Sequence, residues 1–228
     1  MWLLNSSIGK KLIMSISGVF LILFLLFHLC MNIAAVFSEE AYNAICAFLG
    51  SNWYAVAATA VLVAGFAVHI IYSFILTFEN RKARGNDRYA VNVRPKNVEW
   101  ASQNMLVLGI IVCGFMLLHL AQFWYKMMFA ELLGHHYVML GGQEVSTTDG
   151  AAFIKFYFSH LWVVILYLVW YVALWFHLTH GFWSALHTIG WNNQIWFNRW
   201  KCISNIFATV ICLGYAFVTL FFYVKSLL

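Results

Sequence analysis

The sequence predicts an all-α integral membrane protein with five transmembrane helices. The chain of 228 residues is 64% hydrophobic and 9% charged and has one proline, a composition too apolar for a soluble domain of this size. A helix needs about 20 apolar residues to cross a hydrocarbon layer of about 30 Å. Five stretches meet that length: span 1 (residues 12–37), span 2 (53–78), span 3 (101–125), span 4 (153–186) and span 5 (203–224). Residues 1–228 are therefore predicted to form one transmembrane domain.

The positions of lysine and arginine predict the orientation of these spans. Of the 13 basic residues, only three lie on the side that holds the loop 126–153 and the C-terminus, namely Lys126, Lys155 and Lys225. Because basic residues concentrate in cytoplasmic loops, we expect the N-terminus and the loop 79–97 in the cytoplasm, and the loop 126–153 and the C-terminus outside. Orientation thus accounts for the net charge of +5, and no nucleic-acid partner is expected. The ten cytoplasmic basic residues are Lys10, Lys11, Arg81, Lys82, Arg84, Arg88, Arg94, Lys96, Arg199 and Lys201.

Several function classes are disfavoured. Span 1 is longer than the apolar run of about 7 to 15 residues in a signal peptide, so we expect it to be retained. The cysteines form neither a CxxC nor a CxxCH pair, which argues against an iron–sulfur site and covalent haem attachment. Intramembrane carboxylates are nearly absent, which argues against an ion-driven transporter. The chain has no flavin or nucleotide fingerprint.

Four histidines lie well inside spans 1 to 4, where a polar ring is costly unless something binds it. At a rise of about 1.5 Å per residue, His28 lies about 24 Å above the start of span 1, and His69 lies about 14 Å above the opposite end of span 2. His119 matches the height of His28, and His177 matches that of His69. Two layers about 10 Å apart result, with His28 beside His119 in the outer layer and His69 beside His177 in the inner layer.

Two histidines in one layer suit a haem iron, which takes two axial ligands from facing helices of a bundle. Zinc fits poorly, because it prefers four ligands at one point. We therefore predict that spans 1 to 4 hold two b-type haems. Small residues one turn from a ligand would leave room for a porphyrin, and they flank His69 and His177: Gly65, Ser73, Ala173 and Gly181.

The same spacing favours His177 over His180 as the ligand in span 4. His180 has the bulky Phe176 one turn before it, so we expect it to lie beyond the ligands or to face the haem propionates. His160 and His187 near helix ends, and His135 and His136 in a loop, are expected to be ordinary interfacial polar residues.

The sequence around these histidines resembles the cytochrome b membrane subunit of succinate:quinone oxidoreductases, in the single-chain, two-haem form with five helices. The similar stretches are FLLFHLCMN around His28, AVHIIYSF around His69, LLHLAQFW around His119, and FHLTHGFWSALHTIGW, which resembles the family pattern H-x-x-x-G-[LF]-[WY] and again selects His177. The resemblance spans nearly the whole chain.

By resemblance, one haem is bound by His28 and His119 and the other by His69 and His177. The family occurs in the cytoplasmic membrane of menaquinone-using bacteria. It implies a flavoprotein subunit that interconverts succinate and fumarate, and an iron–sulfur subunit on the cytoplasmic face. The chain would then contribute the reaction with menaquinone, without catalysing the dicarboxylate chemistry itself. The basic loop after span 2 either helps to dock the iron–sulfur subunit or only contacts anionic lipid.

Three further positions bear on the resemblance. Some members of the family have a glutamate, associated with proton movement, two residues before the fourth ligand, where this chain has Trp175. Asn32 and Gln122, near His28 and His119, are polar candidates for a menaquinone site, although an intramembrane amide more often bonds a neighbouring helix.

Two alternative functions stay open. One is the cytochrome b subunit of another membrane dehydrogenase, such as a hydrogenase or a formate dehydrogenase, although four ligands on four helices count against it. The other is a haem-free metal or proton carrier that uses the histidines as a relay.

Overall fold

The computed structural model describes residues 6–84 and 99–228, and within these ranges it has five helices long and apolar enough to cross a membrane. The predicted all-α membrane fold is therefore confirmed. Span 1 is the helix Ser7–Phe37, span 2 is Trp53–Arg84, span 4 is Leu161–Ile189 and span 5 is Trp196–Leu227. Span 3 combines an α-helix, Met105–His119, a π-helical stretch, Leu120–Phe129, and a last turn, Ala130–Leu132.

The bounds of spans 3 and 4 differ from those predicted. A separate turn of helix, Trp100–Gln103, precedes span 3. The stretch predicted as one span from residue 153 to residue 186 is two helices, Gly150–Phe158 and Leu161–Ile189, separated at Ser159 and His160. Asp149 caps the first of these helices by accepting a hydrogen bond from the Ala152 backbone, a role for which aspartate is well suited.

Ion pairs define the two ends of the bundle. At one end, called here the basic end, Lys10 pairs with Glu79 and Lys201 pairs with Glu99 at 2.8 Å. These contacts join the start of span 1, the end of span 2 and the starts of spans 3 and 5. Arg88, Arg94 and Lys96, which contribute to the predicted orientation, lie outside the described residues.

At the other end, called here the cap end, Glu39 pairs with both Lys155 and Lys225. These contacts join the segment after span 1, the segment before span 4 and the end of span 5. Successive spans therefore run in alternating directions, as the histidine depths require.

A small folded cap covers the cap end. It consists of the helix Glu39–Phe48, an antiparallel hairpin of β1 (Tyr137–Leu140) and β2 (Gln143–Ser146), and the helix Gly150–Phe158. Asn43 ties its parts together, because its amide donates to Asp149 Oδ1 at 2.7 Å and its carbonyl accepts from the Ala151 backbone at 2.9 Å. We predicted only a loop for most of this region.

The tightly packed core lies between spans 1, 4 and 5 and continues into the cap. At Gly214 a Cβ atom would lie 2.7 Å from Leu29 Cδ2, so the glycine allows span 5 to approach span 1 closely. Tyr215 donates a hydrogen bond to the carbonyl of Leu25 at 2.8 Å. By contrast, none of the most apolar part of span 2 is buried. The histidines of spans 2 and 3 thus pack against the well-packed group of spans 1, 4 and 5.

Candidate functional site

The structure brings His28 of span 1 next to His119 of span 3. Their ring centroids are 5.8 Å apart and their planes are nearly perpendicular, at 85°. Phe24 stacks on His28 with a centroid distance of 5.4 Å, and Trp170 of span 4 lies 5.8 Å from His119. We call His28 and His119 the cap-side pair.

His69 of span 2 and His177 of span 4 form the second pair, with ring centroids 6.3 Å apart and planes at 66°. We call these residues the basic-side pair. Each of the first four spans thus contributes one histidine, and the histidines adjoin in the two pairs that the depth argument gives. Their role as ligands of iron stays a prediction.

A hydrogen-bond chain supports His119. Its Nδ1 lies 3.3 Å from the hydroxyl oxygen of Tyr167, and the Tyr167 hydroxyl donates to Gln122 Oε1 at 2.7 Å. Gln122 lies in the π-helical stretch that begins directly after His119. The wider turn of a π-helix changes which side chains face the interior, and such stretches are frequent at functional sites. Here the buried face holds Gln122, which makes the contact with Tyr167.

A hydroxyl also contacts one ring of the basic-side pair. Nδ1 of His69 lies 3.3 Å from Ser17 Oγ, and the Ser17 hydroxyl donates to the carbonyl of Met14 at 3.0 Å. Sequence reasoning missed both Ser17 and Tyr167. A hydroxyl at the height of a histidine on a neighbouring span is the signal that could have found them.

Two glycines of neighbouring spans lie beside the basic-side rings. A Cβ atom at Gly18 of span 1 would lie 3.3 Å from His69 Cε1, and one at Gly109 of span 3 would lie 3.6 Å from His177 Cε1. Each ring therefore rests one edge against the backbone of a neighbouring span. The sequence analysis missed these glycines, because it considered only residues on the same helix as the ligand.

The small residues predicted to leave room for a porphyrin have mixed outcomes. No heavy atom of the described residues lies within 4 Å of a Cβ atom built on Gly181, and its role beside a porphyrin stays a prediction. At Gly65 the prediction is wrong, because the Phe20 ring would lie 2.6 Å from that Cβ atom and fills the space. Ala173 is buried against Ala101 and Leu108, so it serves packing between spans 3 and 4. Ser73 is half-buried.

His180 lies toward the basic end, one turn from His177. Its Nδ1 lies 3.5 Å from Glu99 Oε2, and its ring packs on Trp183 at a centroid distance of 5.0 Å. Partial burial raises the pKa of Glu99, but the ion pair with Lys201 and the contact with His180 outweigh it, so this pKa lies below its usual value. An ionised Glu99 thus contacts His180 at the basic end of the bundle, away from the cap-side pair.

The other polar candidates have protein partners. Asn32 donates to the His28 carbonyl at 2.8 Å and accepts from Tyr42 at 3.2 Å, and Gln122 accepts from Tyr167. Trp175 donates to Thr209 of span 5 at 2.9 Å. The amides therefore stabilise the bundle, and their contact with a quinone stays a prediction.

The four remaining histidines lie near helix ends or in loops. His160 occupies the position just before span 4, and its Nδ1 lies 2.7 Å from the Phe156 carbonyl. His187 bonds Asn192 at the end of span 4, and His135 and His136 are exposed in the cap. Each lies at a helix end or in a loop, and its interfacial position stays a prediction.

The donors of the two pairs fit an ion held between two imidazoles. With metal–nitrogen bonds of about 2 Å on opposite sides of one ion, imidazole centres lie about 6 Å apart, close to the observed 5.8 and 6.3 Å. Among the described residues, His177 Nδ1 is buried without a hydrogen-bond partner, so no protein contact fixes which of its ring nitrogens carries the proton. The same residues contain no group of three or more histidine, cysteine, aspartate or glutamate side chains placed to hold a metal, so a multi-ligand zinc site does not fit.

No protein-family model, no curated protein and no solved structure matches this chain. The fold and the site define a multi-pass, all-α membrane protein with two histidine pairs inside its bundle, one above the other.

Proposed function

We propose that this chain is the membrane subunit of a succinate:quinone oxidoreductase, which is a succinate dehydrogenase or a quinol:fumarate reductase. In this proposal it binds two b-type haems and carries electrons between menaquinone and an iron–sulfur subunit. The observation that carries the proposal is the pair of histidine contacts, at 5.8 and 6.3 Å, formed by one residue from each of four spans. The resemblance of the sequence around all four histidines supports the choice of family.

Each histidine pair would supply the two axial ligands of one haem, which when bound carries one electron at a time. The chain's own part is to hold the imidazoles, exclude water and shape the apolar surroundings. Aromatic side chains meet these needs at the cap-side pair, where Phe24, Phe123 and Trp170 surround the rings. Such surroundings contribute to setting a redox potential.

The two pairs lie at different heights between the cap end and the basic end. In this proposal menaquinone would exchange electrons with the haem at the cap-side pair. The iron–sulfur subunit would exchange electrons with the haem at the basic-side pair. The flavoprotein would in turn contact the iron–sulfur subunit. Exposed basic residues at the basic end include Lys11, Arg81 and Lys82, which would favour an acidic partner surface or anionic lipid.

The orientation follows the same proposal. The basic end would face the cytoplasm and the cap would face outward, in the cytoplasmic membrane of a bacterium. The distribution of lysine and arginine supports this orientation. The ion pairs group the segments that would share one side of the membrane.

Purification in mild detergent tests the proposal directly. We expect a pyridine haemochrome spectrum of b-type haem with two haems per chain, together with co-purified flavoprotein and iron–sulfur subunits. A chain without haem would contradict the proposal and favour a histidine relay. Two haems with hydrogenase or formate dehydrogenase subunits instead would assign the chain to another respiratory complex.

A further inference from the structure

One imidazole in each pair contacts a hydroxyl oxygen, and that hydroxyl donates its own proton to a different acceptor. The Tyr167 hydroxyl donates its single proton to Gln122 Oε1 at 2.7 Å. Since a hydroxyl has one donor and two acceptor positions, the Tyr167 oxygen can only accept from His119 Nδ1, 3.3 Å away. This accounting puts the proton of neutral His119 on Nδ1 and leaves the lone pair on Nε2.

The same accounting applies to the basic-side pair. Ser17 donates its hydroxyl proton to the Met14 carbonyl at 3.0 Å, so its oxygen accepts from His69 Nδ1 at 3.3 Å. The neutral ring again has its proton on Nδ1 and its lone pair on Nε2. The two hydroxyls come from different spans and different residue types, yet they favour the same tautomer. At His69 the Met14 backbone also accepts from the ring and acts in the same direction.

The partner ring of the basic-side pair differs. Within the described part of the chain, His177 Nδ1 is buried with no hydrogen-bond partner, although it belongs to the same pair as His69. The ring in contact with a hydroxyl is therefore the one whose tautomer and electron donation the protein controls.

We propose that Tyr167 and Ser17 are positioning residues that fix the tautomers of His119 and His69 and thereby tune the cap-side and basic-side haems separately. This inference rests on the proposed function, because it concerns haems bound at these pairs. A hydrogen bond from the second ring nitrogen fixes ring orientation and makes an imidazole a stronger electron donor. Stronger donation stabilises the oxidised iron, so each hydroxyl lowers the midpoint potential of its own haem.

Gln122 has a defined part in this arrangement. It holds the Tyr167 proton away from His119, which keeps the tyrosine oxygen available as an acceptor. Replacing Gln122 by Met would free the Tyr167 proton to turn toward His119 Nδ1 and would oppose the metal-binding tautomer. The Gln122→Met variant should therefore change the same haem as the Tyr167→Phe variant.

The experiment measures both midpoint potentials and the low-spin electron paramagnetic resonance signals in the purified complex. The variants are Tyr167→Phe, Gln122→Met and Ser17→Ala, and Tyr171→Phe is the matched control. Tyr171 lies one turn from Tyr167, is also buried and bonds Thr219 at 2.9 Å instead of a histidine. The component missing from a His28→Ala variant identifies the cap-side haem.

We expect Tyr167→Phe to shift the cap-side potential upward and to leave the basic-side potential unchanged. Ser17→Ala should do the reverse, and Tyr171→Phe should move neither. Loss of only the cap-side haem from Tyr167→Phe, while Tyr171→Phe keeps both, would also support the positioning role. Unchanged potentials and signals in both Tyr167→Phe and Ser17→Ala, or a shift of the opposite haem, would overturn the inference. A wild-type chain without haem would instead refute the proposed function.

Discussion

At the scale of single residues, two glycines lie beside the basic-side imidazoles, and Gly18 leaves the less space of the two. Gly18 and Gly109 belong to spans 1 and 3, yet each lies against the histidine of a neighbouring span. A larger side chain at Gly18 would press on the His69 ring, because a Cβ atom alone would lie 3.3 Å from its Cε1.

We therefore predict that Gly18→Leu displaces His69 and removes most of the basic-side haem. Gly114→Leu is the matched control, since no heavy atom of the described residues lies within 4 Å of its Cβ position. Both substitutions gain roughly 1 kcal/mol of helix propensity, so this contribution cancels in the comparison. Haem-to-protein stoichiometry is the measurement. Equal haem content in the two variants would contradict the role of Gly18.

The choice between His177 and His180 is also a matter for single residues. His177 faces His69, whereas His180 contacts Glu99 and Trp183. We predict that His177→Ala loses the basic-side haem and that His180→Ala keeps both haems with at most a shifted potential. Haem stoichiometry and redox titration check this. A His180 variant that loses a haem while the His177 variant keeps two would reverse the assignment.

The sequence predicts the heights of site residues along their helices, but it does not predict which neighbouring residues they face. The heights of the four histidines follow from helix rise, and the structure pairs them at those heights. The roles of Gly18 and Tyr167 depend on how each helix is rotated about its own axis, which helix rise does not determine. The prediction at Gly65 is wrong for the same reason, because it considered the turns of one helix and not the Phe20 ring from span 1.

At the scale of elements, the cap is the part that apolar length alone does not predict. Apolar residues continue on both sides of Ser159 and His160, for example Phe158 and Leu161, so the break before span 4 leaves no compositional signal. The π-helical register of residues 120–129 is likewise a matter of backbone hydrogen bonding. The five spans were predictable because each exceeds the length that a membrane requires.

Ion pairing at Glu39 gives the cap a dependence on pH. The hydrogen bond with Lys155, reinforced by Lys225, lowers the pKa of Glu39 below its ordinary value of 4.5. Glu39 is therefore ionised near neutral pH whether the cap is docked or not, and the stabilisation is fully present there. As the pH falls below 4.5 and through the lowered pKa, the carboxylate takes up a proton and the stabilisation is lost.

We predict that Glu39→Gln weakens cap docking at neutral pH by less than about 1 kcal/mol, the usual range for exposed ion pairs, and that it removes part of the acid sensitivity. Hydrogen exchange of residues 137–158 at neutral and acid pH measures this. Glu40→Gln is the matched control, because Glu40 is exposed and accepts a hydrogen bond from Ser38. Identical exchange in the two variants would contradict the role of Glu39.

The orientation in the membrane also belongs to the scale of elements, because it follows from the basic residues in the loops between the spans. We predict that an impermeant thiol reagent modifies Met139→Cys in the cap of right-side-out cells, but modifies Lys82→Cys at the basic end only after permeabilisation. Both positions are exposed, and the native cysteines would first be replaced. Selective labelling at position 82 in intact cells would reverse the orientation.

At the scale of the whole molecule, packing divides the bundle into a firm part and a less buried part. Spans 1, 4 and 5 share the main core, while none of the residues in the most apolar part of span 2, and 11% of those in span 3, are buried. Each histidine pair connects the two parts. The cap-side pair joins span 1 of the firm part to span 3, and the basic-side pair joins span 4 of the firm part to span 2. The proposed haems would thus bind across the boundary between the two parts.

The pairing of the histidines is the claim on which the account depends most, and low-temperature reduced spectra with redox titration of four single variants test it most directly. His28→Ala and His119→Ala should lose the same spectral component, and His69→Ala and His177→Ala should lose the other, because a low-spin haem needs both axial ligands. A double variant within one pair should add little to either single variant, whereas a double variant across pairs should lose both haems. Loss of one component in both the His28 and His69 variants, and of the other in both the His119 and His177 variants, would contradict the account.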